Sequence, residues 1–178
     1  MEKPPLLIWT TAIFFKLFGV SEFSARIGSA LSGVAIISLL HAWVLRRKSV
    51  LTAWLNTLML LGTFGFLRAC RVGETDVLLS LGCMVALMGL AQINEFDLRG
   101  WYLFWGGFAV ALMTKGAASL VIPVTALLFG GLQRWKMQRL SKACWMGLLL
   151  FLVLVLPWHL MMIYRFGDRF WSEYFGAH

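Results

Sequence analysis

Little in this chain is acidic. Eight Asp and Glu residues stand against sixteen Lys and Arg, for a formal net charge of +8. Cysteine is scarcer still. Cys70, Cys83 and Cys144 have no motif spacing. Cys83 and Cys144 sit inside apolar runs, where cysteine behaves as a small hydrophobe, so neither a disulfide nor a cysteine–metal site is read. No run alternates apolar with polar residues, which excludes a transmembrane β-barrel. Residues 1–20 contain Glu2, Lys3, two prolines and Lys16 but no small-residue cleavage site, so no signal peptide is read there. The cations are not gathered on one soluble face, which argues against nucleic acid as a partner. No internal repeat and no soluble domain is visible.

What fills the chain is apolar. Sixty per cent of the residues are hydrophobic, above the roughly half expected of a soluble domain. Six runs carry them, at about 27–45, 50–67, 77–93, 101–113, 117–132 and 143–164. A span of about 20 residues crosses ~30 Å of hydrocarbon, and in lipid each backbone polar group needs an internal partner, which makes helices the default. The prediction is an all-α polytopic membrane protein: one transmembrane domain over 1–178, with about six transmembrane helices. An N-terminal interfacial helix is predicted within 4–20, started by Pro4-Pro5 and ended at Gly19. Ser21 or Ser24 is the expected cap of the next helix. The 101–113 run has only 13 residues and reaches ~20 Å as a helix. Lys115 is therefore expected at the tip of a tight helical hairpin, slightly below the membrane surface, where a charge is costly and faces a cavity or a partner.

Numbering the ends of the six runs sorts the polar residues. Arg46-Arg47-Lys48, the Asn94–Arg99 turn and the basic stretch 133–142 fall on one side, which reads as cytoplasmic by its dense blocks of cations. Lys3, Arg68, Arg71, Glu74, Asp76, Lys115, Asp168, Glu173 and His178 fall on the other. An outer face with that many cations suits an anionic partner such as a lipid phosphate. Each group also has a plainer reading. Lys3 beside two prolines can simply snorkel at the interface. Arg68, Arg71, Glu74 and Asp76 can form a self-neutralising turn, with the two acids complementing a helix dipole. Glu173 and His178 with Glu2 could form a carboxylate–histidine metal site, though scattered ligands carry little weight. His41 and His159 are read as helical residues without a metal role.

Six motifs then carry a resemblance. They are Glu2-Lys3-Pro4-Pro5-Leu6, Phe23-Ser24-Ala25-Arg26-Ile27 with Ser29-Ala30-Leu31, Gly73-Glu74-Thr75-Asp76, Leu112-Met113-Thr114-Lys115-Gly116, Leu156-Pro157-Trp158, and Glu173-Tyr174-Phe175-Gly176-Ala177-His178. In this order and spacing the chain resembles the polyprenyl-phosphate-sugar-dependent membrane glycosyltransferases of the glycosyltransferase C superfamily. That branch holds the aminoarabinose lipid A transferase and the protein O-mannosyltransferases. The resemblance implies that a sugar on a polyprenyl phosphate is attacked at its anomeric carbon by an acceptor hydroxyl or phosphate while the lipid phosphate leaves. It implies donor-phosphate contacts from Lys3, and with less support from Arg26, Arg68, Arg71 and Lys115. It implies a divalent metal at Glu2 and His178. It places the usual acidic base before the Lys-Pro-Pro motif, which leaves Glu74 and Asp76 as weak candidates.

The same resemblance reads the chain as an internal piece, because members normally extend further at both ends. The expected location is a bacterial inner membrane, multi-pass, with the active face periplasmic. The expected partners are the lipid-linked sugar and a glycan, lipid or protein acceptor such as lipid A. Two other readings stay open: a non-catalytic module that binds lipid phosphate, and a transporter. The last predicts broken helices in paired halves and charges at mid-membrane, and the sequence shows neither clearly.

Overall fold

The computed structural model describes residues 4–95, 97–132, 141–167, 170 and 174. Among these every regular element is helical. In chain order they are α1 (Leu6–Phe18), α2 (Glu22–Leu45), α3 (Val50–Gly62), α4 (Phe64–Val72), α5 (Thr75–Asn94), α6 (Gly100–Lys115), a 3-10 winding (Gly116–Leu120), α7 (Val121–Leu132) and α8 (Lys142–Phe166). The described residues divide into two compact units, one over Leu6–Leu81 and one from Gly82 onward that also takes in Pro4 and Pro5.

In the first unit, α2 is the element on which α1, α3 and α4 pack. Ser21 caps α2 with its hydroxyl, which accepts from the Ser24 amide at 3.2 Å, so the first of the two expected caps is the one used. Ser49 caps α3 in the same way through Thr52. The buried stripe of α2 is mostly small: Ser24, Ser29, Ser32 and Gly33, followed by Ile36. Small residues let helices approach closely where the solvent is lipid and burial alone gives no drive to associate. Gly33 shows how closely, because a Cβ there would run into the Cys70 sulfur of α4. α1 ends at Gly19 as expected. His41 lies within α2 beside Thr57 Oγ1 at 2.9 Å and edge-on to Trp54.

In the second unit, α5 and α6 touch backbone to backbone. A Cβ on Gly107 would lie 2.5 Å from the Ala86 amide nitrogen and 2.5 Å from the Gly82 carbonyl oxygen, and one on Gly89 would lie 2.5 Å from the Phe104 nitrogen. On another side α6 packs against α8. Phe108 stacks on Phe151 with ring centroids 4.9 Å apart, and Gly147 sits over Trp101 and Trp105. The apolar core here includes Ala86, Ile93, Phe104, Phe108, Cys144 and Trp158. Outward-facing leucines and valines dominate the rest of α8, as expected of a helix surrounded by acyl chains.

Among the described residues four helices are long and apolar enough to cross a membrane, or five if the bent pair α3–α4 counts as one, against the six expected. Two expectations account for the difference. The 50–67 run is not one straight crossing. It breaks at Thr63, whose backbone is extended, and α3 and α4 meet at 65°. Gly62 and Gly65 flank the break and weaken helix continuity there. The 101–113 and 117–132 runs are not separated by a loop. The 3-10 winding joins α6 to α7 with no loop residue between them, and Gly100–Thr125 makes one 26-residue apolar stretch. Lys115 ends α6, and Gly116 after it leaves the helical region at φ +54° and ψ −120°.

Candidate functional site

In the first unit the structure brings Arg26, Arg68, Arg71 and Glu74 to one end of α2 and α4. Gly73, at φ +76°, closes α4 in a left-handed conformation that glycine adopts without a steric penalty. It packs on the N-terminal turns of α2: a Cβ there would meet the Ala25 carbonyl at 3.4 Å and the Arg26 Cγ at 3.8 Å. The buried Ser29 hydroxyl donates to the Glu74 carbonyl at 3.1 Å and locks the α4–α5 turn to α2.

The roles of the two acids follow from this. Glu74 contributes its backbone carbonyl to the lock and keeps its side chain exposed. Asp76 is exposed in the first turn of α5, where a carboxylate complements the helix dipole. Arg26 is not an isolated cation. Its guanidinium is 3.0 Å from Glu22 one turn earlier, a surface pair with both side chains more than half exposed. Such a pair contributes about 0–1 kcal/mol. The signal for it was an acid four residues before an arginine on a helix.

Arg68 and Arg71, one turn apart on α4, do sit together. With Phe64, Leu67 and Val72 they line an open groove of about 360 Å³. The face of α4 that carries Phe66 and Cys70 is spent against Gly33 of α2, so the groove lies on the other face. Phe64 is 80% exposed. Its lining joins two guanidinium groups to a patch of hydrocarbon, and guanidinium binds phosphate oxygens through paired N–H donors. The three apolar lining residues were missed by sequence reasoning. An arginine pair inside an apolar nine-residue helix was the available signal.

In the second unit Lys115 is partly buried at the last position of α6. Just after it Gly116 has φ +54° and ψ −120°, and the Tyr174 ring occupies the space where a Cβ would be. The Tyr174 hydroxyl is 3.2 Å from His159 Nε2, and His159 Nδ1 is 2.9 Å from the Val155 carbonyl. Phe170 and Trp158 close around the pair. Burial pushes the Tyr174 phenol above its ordinary value. Lys3, Glu2 and His178 lie outside the described residues, as do Asp168 and Glu173. Among the described residues no three His, Cys, Asp or Glu side chains come together to hold a metal.

The chain is similar to several known proteins. The family model for dolichyl-phosphate-mannose-protein mannosyltransferases matches residues 2–161. An uncharacterized protein of Aquifex aeolicus is 33% identical over 98% of this chain and 39% of its own length. The undecaprenyl phosphate-alpha-4-amino-4-deoxy-L-arabinose arabinosyl transferase of Yersinia pestis is 30% identical over 98% of this chain and 32% of its own. The crystal structure of ArnT from Cupriavidus metallidurans in the apo state superposes with a TM-score of 0.82 at 24% identity, covering 94% of this chain and 33% of that one. The same protein bound to undecaprenyl phosphate gives 0.78 at 26% identity, covering 94% and 32%. The chain thus spans about a third of the length of these relatives.

Proposed function

The chain belongs to the dolichyl-phosphate-mannose-protein mannosyltransferase family, and on that premise we propose that it is the core of a membrane glycosyltransferase whose sugar donor is carried on a polyprenyl phosphate. The observation that carries the reading, beyond family membership, is the α4 groove. Two arginines set among Phe64, Leu67 and Val72 suit an amphiphile with a phosphate head and a prenyl tail. The Yersinia pestis relative is described as acting with an undecaprenyl-phosphate-linked sugar, and the Cupriavidus metallidurans relative has been crystallised with undecaprenyl phosphate; both support this donor class.

In the proposed reaction an acceptor oxygen bonds to the anomeric carbon. The bond from that carbon to the lipid-phosphate oxygen breaks, and the phosphate leaves with the electron pair. The acceptor's proton passes to a carboxylate base. Positioned cations stabilise the charge gathering on the leaving phosphate. Arg68 and Arg71 are the candidates for that part in the first unit, with Arg26 in a weaker role because Glu22 already holds it. Lys115 is the separate candidate in the second unit, and Lys3, outside the described residues, is a further one by the family's Lys-Pro-Pro motif. Glu74 and Asp76 are not assigned as the base, since a turn lock and a helix N-terminus already account for them. A divalent metal at Glu2 and His178 belongs to the same proposal, as does a periplasmic active face in a bacterial inner membrane. The acceptor class is a glycan, lipid or protein, lipid A among them.

The test is equilibrium binding of undecaprenyl phosphate to the purified protein in detergent, with Arg68→Gln/Arg71→Gln and Lys115→Ala alongside. Saturable binding is expected, and the variant that weakens it identifies the unit that holds the phosphate. A folded protein with no saturable binding would sink the proposal.

A further inference from the structure

Tyr174 has no role in the proposal above, yet its phenol end is held on two sides. Its ring covers Gly116: a Cβ there would lie 2.7 Å from the phenol oxygen and 2.8 Å from Cζ. At φ +54° and ψ −120°, Gly116 holds a backbone conformation that only glycine adopts without strain. The turn therefore depends on glycine twice, once for its angles and once for the space the tyrosine fills. The same hydroxyl meets His159. The Val155 carbonyl can only accept, so in the neutral ring Nδ1 carries the hydrogen and Nε2 offers its lone pair. The Tyr174 hydroxyl donates to that lone pair.

The rest of the turn is also held. Thr114 is fully buried and donates to the Val110 carbonyl at 2.6 Å, and Ser119 is fully buried and donates to the Gly116 carbonyl at 2.7 Å. Residues on both sides of Lys115 are thus pinned, and the pin that comes from outside this stretch of chain is Tyr174. Aromatic contacts fix it: Phe170 lies 5.1 Å from its ring centroid, and Trp158 packs on both Phe170 and His159.

We propose that Tyr174, oriented by His159, is a positioning residue that fixes the Lys115–Gly116 turn and so aims the Lys115 ammonium at the donor phosphate; this rests on the reading of Lys115 given above. It touches neither reacting atom. Its effect passes through one lysine, which makes it separable from general stability.

Undecaprenyl phosphate affinity is measured in detergent for wild type, Lys115→Ala, Tyr174→Phe, His159→Leu and the combinations Lys115→Ala/Tyr174→Phe and Tyr174→Phe/His159→Leu, each checked for helicity. Tyr174→Phe keeps the ring over Gly116 and removes only the hydroxyl. The expected loss is about two- to tenfold, the range of one net hydrogen bond. His159→Leu removes the acceptor from the other end and loses the same factor, with no further loss when combined with Tyr174→Phe. In the Lys115→Ala background Tyr174→Phe changes nothing. A wild type that binds no undecaprenyl phosphate overturns the donor reading and this inference together. A wild type that binds, with Tyr174→Phe and His159→Leu indistinguishable from it, overturns this inference alone. The same holds if Tyr174→Phe costs the same factor with and without Lys115, because the role would then be structural only.

Discussion

Two adjacent glycines on α6 should answer the same substitution with opposite signs. Nothing lies within 4 Å of a Cβ built on Gly106. Gly106→Ala therefore gains helix propensity, about 1 kcal/mol, and meets no neighbour. A Cβ on Gly107 lies 2.5 Å from both the Ala86 nitrogen and the Gly82 carbonyl oxygen of α5. Both are backbone atoms and cannot swing aside, and ordinary contact begins near 3.4 Å, so the two helices must part by about 0.9 Å at that point. A gap of that order forfeits a quarter to a half of each dispersion contact along the seam. Overpacking of this kind costs about 1–3 kcal/mol, and the rigid backbone partner places Gly107→Ala near the upper end. Subtracting the propensity gain leaves a net loss of about 2 kcal/mol, hence a gap of about 3 kcal/mol between the two variants. For a chain of this length that is about 6–12 °C in melting temperature. Thermal unfolding followed by circular dichroism in one detergent reads both variants side by side. Two alanines that shift the midpoint in the same direction by similar amounts would refute the backbone-contact account of the α5–α6 seam.

Other outcomes are expected. Arg68→Gln/Arg71→Gln should weaken undecaprenyl phosphate binding by roughly 10- to 100-fold, at about 1.5–3 kcal/mol per charge-assisted contact partly shared between two donors; an unchanged Kd would remove the α4 groove from the site. Tyr174 has a pH signature because burial raises its phenol. A raised folded-state value means that the stability contribution is full below about pH 10, the ordinary phenol value, and is lost as pH rises through the folded value. The stability advantage of wild type over Tyr174→Phe should thus shrink above pH 10, and a constant difference up to pH 11.5 would contradict this. Glu2→Ala and His178→Ala should each abolish stoichiometric divalent metal in elemental analysis of the purified protein; full metal content in both would dismiss those ligands. Ser29→Ala removes the donor to the Glu74 carbonyl and should cost about 1 kcal/mol, read as a lower melting midpoint, with no change expected if water replaces the bond.

The helical fold, the Ser21 cap, the stop at Gly19 and the intrahelical place of both interior histidines were legible in the sequence, because each rests on local chemistry: apolar runs, a hydroxyl before a helix, a glycine after one. The crossing count was not. Composition marks 50–67 as one apolar run, but whether glycines around Thr63 bend a helix depends on what α2 offers for α4 to pack against, and Gly33 is 30 residues away in sequence. The loop-free junction of 101–113 with 117–132 was missed for a related reason: Thr114-Lys115-Gly116 reads as a loop, and a 3-10 winding over Gly116–Leu120 takes up the same stretch. At the site, the arginines were visible as charges. That Arg26 is paired while Arg68 and Arg71 share a groove was set by packing. Tyr174 was quoted only as part of a motif, because its contacts to Gly116 and His159 are made across separate helices.

The bend at Thr63 has a further consequence. The 13 residues of α3 amount to ~20 Å of helix, about two thirds of an average hydrocarbon layer, and α4 leaves at 65° instead of completing the distance. A hydrophobic segment too short for its bilayer is accommodated by thinning the lipid around it, at a cost that grows with each ångström of mismatch. Acyl-chain length therefore becomes part of the protein's own energetics: thin membranes relieve the α3–α4 elbow and thick ones load it, so the lipids that surround the chain act on the same helix that carries Arg68 and Arg71.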